Sequence, residues 1–147
     1  MDWKSKKANK INKIYGNKAY SPVALENRKL NDYEVTGLLS QASTLLVPSY
    51  ADGFNHVVSE AIFTHDISHP VQIVLGDIGA SDYINGYYRL EHNLLQDSRT
   101  LAKTLKSSDI NKKIRFARLT SGASKLSSEV WFDSILGSAR KVKERQK

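Results

Sequence analysis

The chain has no cysteine, which excludes disulfide cross-links, thiolate nucleophiles and cysteine-held metals, and suits a reducing cytosol. No apolar run approaches the ~20 residues a membrane span needs, and the first residues are rich in lysine rather than apolar. Neither a transmembrane helix nor a signal peptide is expected, and the protein reads as cytoplasmic. The four histidines, His56, His65, His69 and His92, lack metal-ligand spacing, so no metal or cofactor is expected. Ser49 and Ser59 have no nucleophile-elbow context, which argues against a serine hydrolase. Basic stretches interleaved with aromatics are missing too, which argues against a nucleic-acid-binding module despite the basic balance.

What is present is a chain of 147 residues with 40% hydrophobic content, enough for one domain with a real core. It is expected to form a single unit over 1–147, with basic ends at about 1–10 and 138–147 that fray. The formal charge of +7 is unevenly spread. Residues 1–30 carry eight basic and two acidic groups, residues 31–109 four and ten, and residues 110–147 ten and three. The middle of the chain is therefore acidic, and the basic flanks read as solvated faces.

Ile11 and Ile14 at helical spacing among lysines predict a weakly amphipathic helix ending near Gly16. Residues 22–26 read as a short strand. Asn31 or Asp32 caps a helix whose stripe is Val35, Leu38, Leu39 and Ala42. Thr44 to Val47 is a strand halted by Pro48, and a helix starts at Asn55 with Val57, Val58, Ala61 and Ile62 on its buried side. Val71 to Leu75 is the next strand, followed by a turn over Gly76–Ser81, a short strand near 87–90 and a helix from Leu94 to Leu105. One or two further helices follow, the last anchored by Val130, Trp131, Phe132, Ile135 and Leu136. Helices alternate with near-continuously apolar strands, which predicts an α/β fold: a Rossmann-like parallel sheet with helices on both faces.

In such a sheet, ligands sit beyond the carboxyl ends of the strands. The run Asp52-Gly53-Phe54-Asn55-His56-Val57-Val58-Ser59-Glu60 lies there, between a strand and a helix. Gly53 permits a tight turn and a close approach of backbone to ligand. Amides of residues 55–58 are the unpaired donors of a helix N-terminus, suited to a phosphate. Glu60 suits two ribose hydroxyls, and Asp52 suits hydroxyls of a sugar. From spacing alone, a capped helix with a solvated Glu60 accounts for the same residues.

The stretch from Ile11 to Leu136 resembles the C-terminal, donor-binding half of the trehalose-6-phosphate synthases, glycosyltransferase family 20, with a GT-B fold. Residues 52–60 are similar to that family's D-G-M-N-L-V-x-x-E signature, with Phe54 and His56 replacing Met and Leu. Ile11-Asn12, Tyr15-Gly16, Pro22-Val23 and Asn27-Arg28 follow its spacing upstream. Val74-Leu75-Gly76-Asp77-Ile78-Gly79-Ala80-Ser81 is similar to its L-S-x-F-x-G-A/S-A/S turn, and Trp131-Phe132 fits its C-terminal helix.

The resemblance implies binding of UDP-glucose and glucosyl transfer to glucose 6-phosphate, with retention and without metal, in trehalose biosynthesis. It implies Asp52 as the catalytic-site carboxylate on the donor glucose. Amides from about Phe54 through Asn55 and His56 to Val57 would meet sugar and diphosphate, with Gly53, Val58 and Ser59 also among the substrate-binding residues. Glu60 would hold the ribose, and the backbone near Leu30 the base. The family's acceptor domain, with the Arg and Lys that clamp the diphosphate, precedes the matched segment. The isolated chain is therefore expected to be a weak or inactive catalyst that works with an N-terminal half or a full-length synthase. The alternative implied by the same resemblance is a non-catalytic regulatory or assembly subunit of a trehalose synthase complex.

Overall fold

The computed structural model describes residues 2–49, 52–53 and 55–123. Contacts divide the chain into two compact units, Met1–Asn31 and Asp32–Lys147. The expected C-terminal helix around Trp131 and Phe132 lies outside the described residues.

In the first unit, α1 spans Trp3–Tyr15. Asp2 caps it, its carboxylate accepting from the Ser5 amide at 2.9 Å, which satisfies one of the donors a helix start leaves over. Residues 22–26 do not form the expected strand. The reason lies eleven residues upstream: Asn12 Nδ2 donates to the Val23 carbonyl at 2.7 Å, and Asn12 Oδ1 accepts from the Val23 amide at 2.8 Å. A side chain thus satisfies both backbone groups of Val23, and a strand neighbour has nothing left to pair with there.

The second unit carries the sheet. Its elements in order are α2 (Asp32–Gln41), β1 (Thr44–Val47), α3 (His56–Phe63), β2 (Gln72–Leu75), a 3-10 turn at Gly79–Asp82, β3 (Tyr88–Arg89), α4 (Leu94–Leu105) and α5 (Asp109–Ala123). The three strands lie in the order β1-β2-β3, all parallel, with Thr44 opposite Gln72 and Val74 opposite Tyr88. Parallel neighbours need crossovers, and α3 supplies the one between β1 and β2.

Side chains of β2 alternate between two cores, as a strand's period of two requires. Ile73 and Leu75 join Leu39, Val58, Ala61, Ile62, Phe116 and Leu119, which places α2, α3 and α5 on one face. Val74 joins Tyr88 and Leu90, with Leu101 of α4 against them on the other. Every residue of β2 is buried, so its aliphatic run reflects helices on both sides of the sheet. Each such side chain contributes about 1.5–3 kcal/mol by leaving water. This is the α/β arrangement the strand pattern predicts.

One side chain ties the far end of α3 in place. His65 Nδ1 lies 2.7 Å from the Ala61 carbonyl in the last turn of α3. Its Nε2 lies 3.0 Å from the Ala42 carbonyl, in the link between α2 and β1.

Candidate functional site

The corner between β1 and α3 is held against the loop that follows β2. The Gly76 amide donates to the Val47 carbonyl at 2.9 Å, which carries the pairing of β1 and β2 one step past the strands. Beyond it, the Gly79 amide donates to the carbonyls of both Asp52 and Gly53, at 3.1 and 3.0 Å, and Asp52 pairs with Ile78 as an isolated parallel bridge. A Cβ on Gly76 would lie 2.2 Å from the Ser49 carbonyl oxygen, and one on Gly79 2.9 Å from that of Gly53. Only residues without side chains let the two loops close together. Sequence reasoning found this glycine turn but gave it no place in the site; its part is to support Asp52 and Gly53 from beneath.

Asn55 turns the chain into α3 with φ at 45°, a left-handed conformation that Asn tolerates better than most residues. Its side chain does not cap the helix. Nδ2 donates instead to Asp52 Oδ2 at 2.7 Å, which orients the carboxylate and leaves its other oxygen uncommitted by this contact. Asn55 Oδ1 is buried with no hydrogen-bond partner among the described residues.

The helix itself begins at His56. The Val58 amide donates to the Asn55 carbonyl at 3.1 Å, so one of the four expected donors is already used. The amides ahead of it precede the helix's own ladder of hydrogen bonds. Val58 and Ser59 are buried, the Ser59 hydroxyl donating to the His56 carbonyl at 2.8 Å. Val57 departs from expectation: it is 39% exposed, because the buried side of α3 is centred on Val58, Ser59, Ala61 and Ile62, which leaves His56, Val57 and Glu60 on the solvent face.

Glu60 is exposed and sits one turn beyond His56. Helical side chains lean toward the N-terminus, so its carboxylate is carried back over the first turn. Asp52, Gly53, His56, Val57 and Glu60 are thus exposed at the corner that follows the carboxyl end of β1, the mouth at Asp52. Phe54 lies outside the described residues. Leu30 belongs to the first unit, where it is half-buried.

Sequence reasoning also passed over Arg89. It ends β3 and lies 3.7 Å from Asp77, which follows β2, and both are more than half exposed. The pair adds a cation at the carboxyl end of the sheet. An exposed pair of this kind stabilises the fold by less than about 1 kcal/mol. No group of His, Asp and Glu able to hold a metal ion occurs among the described residues.

Comparison with known proteins bears on the fold. The chain is similar to a UDP-forming α,α-trehalose-phosphate synthase from Burkholderia xenovorans, at 24% identity over 95% of this chain and 32% of that one, with a TM-score of 0.82. A synthase from Burkholderia multivorans is 21% identical over 97% of this chain and 32% of its own, with a TM-score of 0.84. A trehalose-6-phosphate structure from E. coli, bound with UDP-2-fluoro glucose, is 20% identical over 91% of this chain and 30% of its own, at 0.81. Identities this low establish the shared fold. The chain spans about a third of the length of these structures. No curated protein matches it. Residues 4–141 match glycosyltransferase family 20, and the chain belongs to that family.

Proposed function

We propose that the corner between β1 and α3 binds the donor of a glucosyl transfer, UDP-glucose, for the synthesis of trehalose 6-phosphate from glucose 6-phosphate. The observation that carries this is the Asp52 carboxylate, clamped by Asn55 at the entry to α3, whose exposed face bears Glu60. In this reading the Asp52 carboxylate accepts hydroxyls of the glucose ring. Amides of the first turn receive the diphosphate, where the helix dipole favours negative charge. Glu60 accepts from the ribose hydroxyls. The acceptor side comes from other parts of a synthase, in the same polypeptide or in a full-length partner.

Titration calorimetry with UDP and UDP-glucose tests the assignment residue by residue. A hydrogen bond to a charged group is worth about 1.5–3 kcal/mol, roughly ten- to a hundredfold in affinity. Glu60→Ala should weaken both ligands to that extent. Asp52→Ala should weaken UDP-glucose alone, because UDP lacks the sugar. If neither ligand produces saturable heat at millimolar concentration, or if both substitutions leave the affinities unchanged, the donor assignment is wrong.

A further inference from the structure

At the opposite end of the sheet, α4 and α5 meet over a cavity of about 820 Å³. Its place follows from its neighbour, a cavity lined by Ser43 and Pro70, just before β1 and β2, together with Asp109 and Lys112 of α5. The start of α5 therefore lies where the strands begin, and the mouth at Asp52 lies where they end.

Four cations line the larger cavity: Lys103 and Lys106 from the end of α4, and Arg115 and Arg118 from α5. Ser107 and Ser108 line it as well, and no carboxylate does. Each pair of cations is spaced i, i+3, so like charges sit side by side on both helices, an arrangement that opposes folding. The negative end of the α4 dipole accounts for Lys103 and Lys106. It does not account for Arg118, well inside α5. The nearest acid on α5, Asp109, is engaged 3.0 Å from Lys112 and faces the other cavity. Lys103, Lys106, Arg115 and Arg118 have no ion-pair partner among the described residues.

Part of the wall is fixed in advance. Arg115 Nη1 donates to the carbonyls of Gly86 and Tyr87 at 3.1 and 3.2 Å, which holds its guanidinium 3.9 Å over the Tyr88 ring and leaves Nε and Nη2 uncommitted by these bonds. The Tyr88 hydroxyl and Ser107 Oγ are hydrogen-bonded at 3.2 Å, which fixes the Ser107 hydroxyl in the wall of the cavity.

We propose that this cavity binds a small molecule bearing two or more phosphate groups, at a site separate from the mouth at Asp52. The volume is that of a small-molecule site, and converging cations with hydroxyl donors match phosphate oxygens. A nucleic acid is disfavoured because the one aromatic ring in the wall is covered by Arg115 and offers no stacking face.

The test uses fructose 1,6-bisphosphate and inorganic tripolyphosphate as probes at about 150 mM salt, where weak surface attraction is screened. Amide shifts and calorimetry follow wild type, Lys106→Ala/Arg118→Ala and Glu60→Ala, with circular dichroism to check that each is folded. Saturable binding is expected, with shifts centred on residues 103–118, weakened at least about tenfold by the double substitution and untouched by Glu60→Ala. The proposal is overturned if neither probe saturates by about 10 mM, if the double variant binds like wild type, or if a single-stranded oligonucleotide binds the same residues more tightly than either probe. Shifts centred on residues 52–60 instead would also overturn it, by assigning the signal to the donor mouth.

Discussion

Replacement of Asn55 separates what this residue does for the fold from what it does for the ligand. At φ 45° a residue with an ordinary Cβ costs roughly 1–2 kcal/mol. Removing the side chain also deletes the bond to Asp52, worth about 1 kcal/mol at an exposed position, and removes the buried unpaired Oδ1, which returns a similar ~1 kcal/mol. Asn55→Gly avoids the backbone cost, so its stability should stay within about 1 kcal/mol of wild type. Asn55→Ala should fall below the glycine variant by about 1–2 kcal/mol. With a urea slope of about 1–3 kcal/mol per molar, the two midpoints should differ by roughly 0.5–1 M, read by circular dichroism. Both variants release the Asp52 side chain. Immobilising one costs about 0.5–1.5 kcal/mol, so UDP-glucose should bind each variant about three- to tenfold more weakly than wild type. The signature is equal loss of affinity with unequal stability. Equal midpoints would refute the left-handed turn as the reason for Asn at this position. Unchanged affinity in both variants, alongside a loss in Asp52→Ala, would refute the clamp.

Gly86→Ala tests the backbone beneath the basic cavity. At φ 98° its Cβ would lie 2.4 Å from the Arg115 carbonyl oxygen, and we expect a loss of about 2 kcal/mol or more, seen as a urea midpoint roughly 1 M lower; an unchanged midpoint would contradict the packing of α5 on this turn. A second measurement concerns acid. Hydrogen bonds from Ser68 and His69 hold the Asp66 carboxyl below its ordinary 3.8, so the order it gives residues 66–69 is complete above that value and is lost as pH falls through the lowered one. Amide shifts of Ser68 and His69 should titrate with a midpoint under 3.8, and a midpoint at or above it would remove these bonds from the account.

Where local pattern and tertiary packing agree, the structure was legible. Thr44–Val47 is a strand with the expected bounds, and Leu94–Leu105 is a helix whose cap, Asn93, accepts from the amides of Leu95 and Gln96. The residues around Asp52 could be read because a strand, a glycine and a helix start are adjacent in the chain. Val23 was misread because its partner is the side chain of Asn12, which no short window contains. Val57 was misplaced because spacing alone does not fix which edge of an apolar stripe meets the core, and α3 buries Ser59 in its stead. The basic cavity had no sequence signal, since its cations become neighbours only when α4 and α5 pack around Tyr88.

The bond pattern at His65 makes α3 a lever. Eight residues give it a length of about 12 Å, with a pivot at its far end, where His65 ties it to the Ala42 carbonyl, and a tip at His56, four residues past Asp52. A rotation of about 5° at that pivot would sweep the tip by about 1 Å, a misplacement that can cost up to a hundredfold in a positioned reaction. Under the proposed function, substitutions at His65 would then weaken donor binding from the other end of the helix, and a screen that judged residues by distance from the ligand would overlook them.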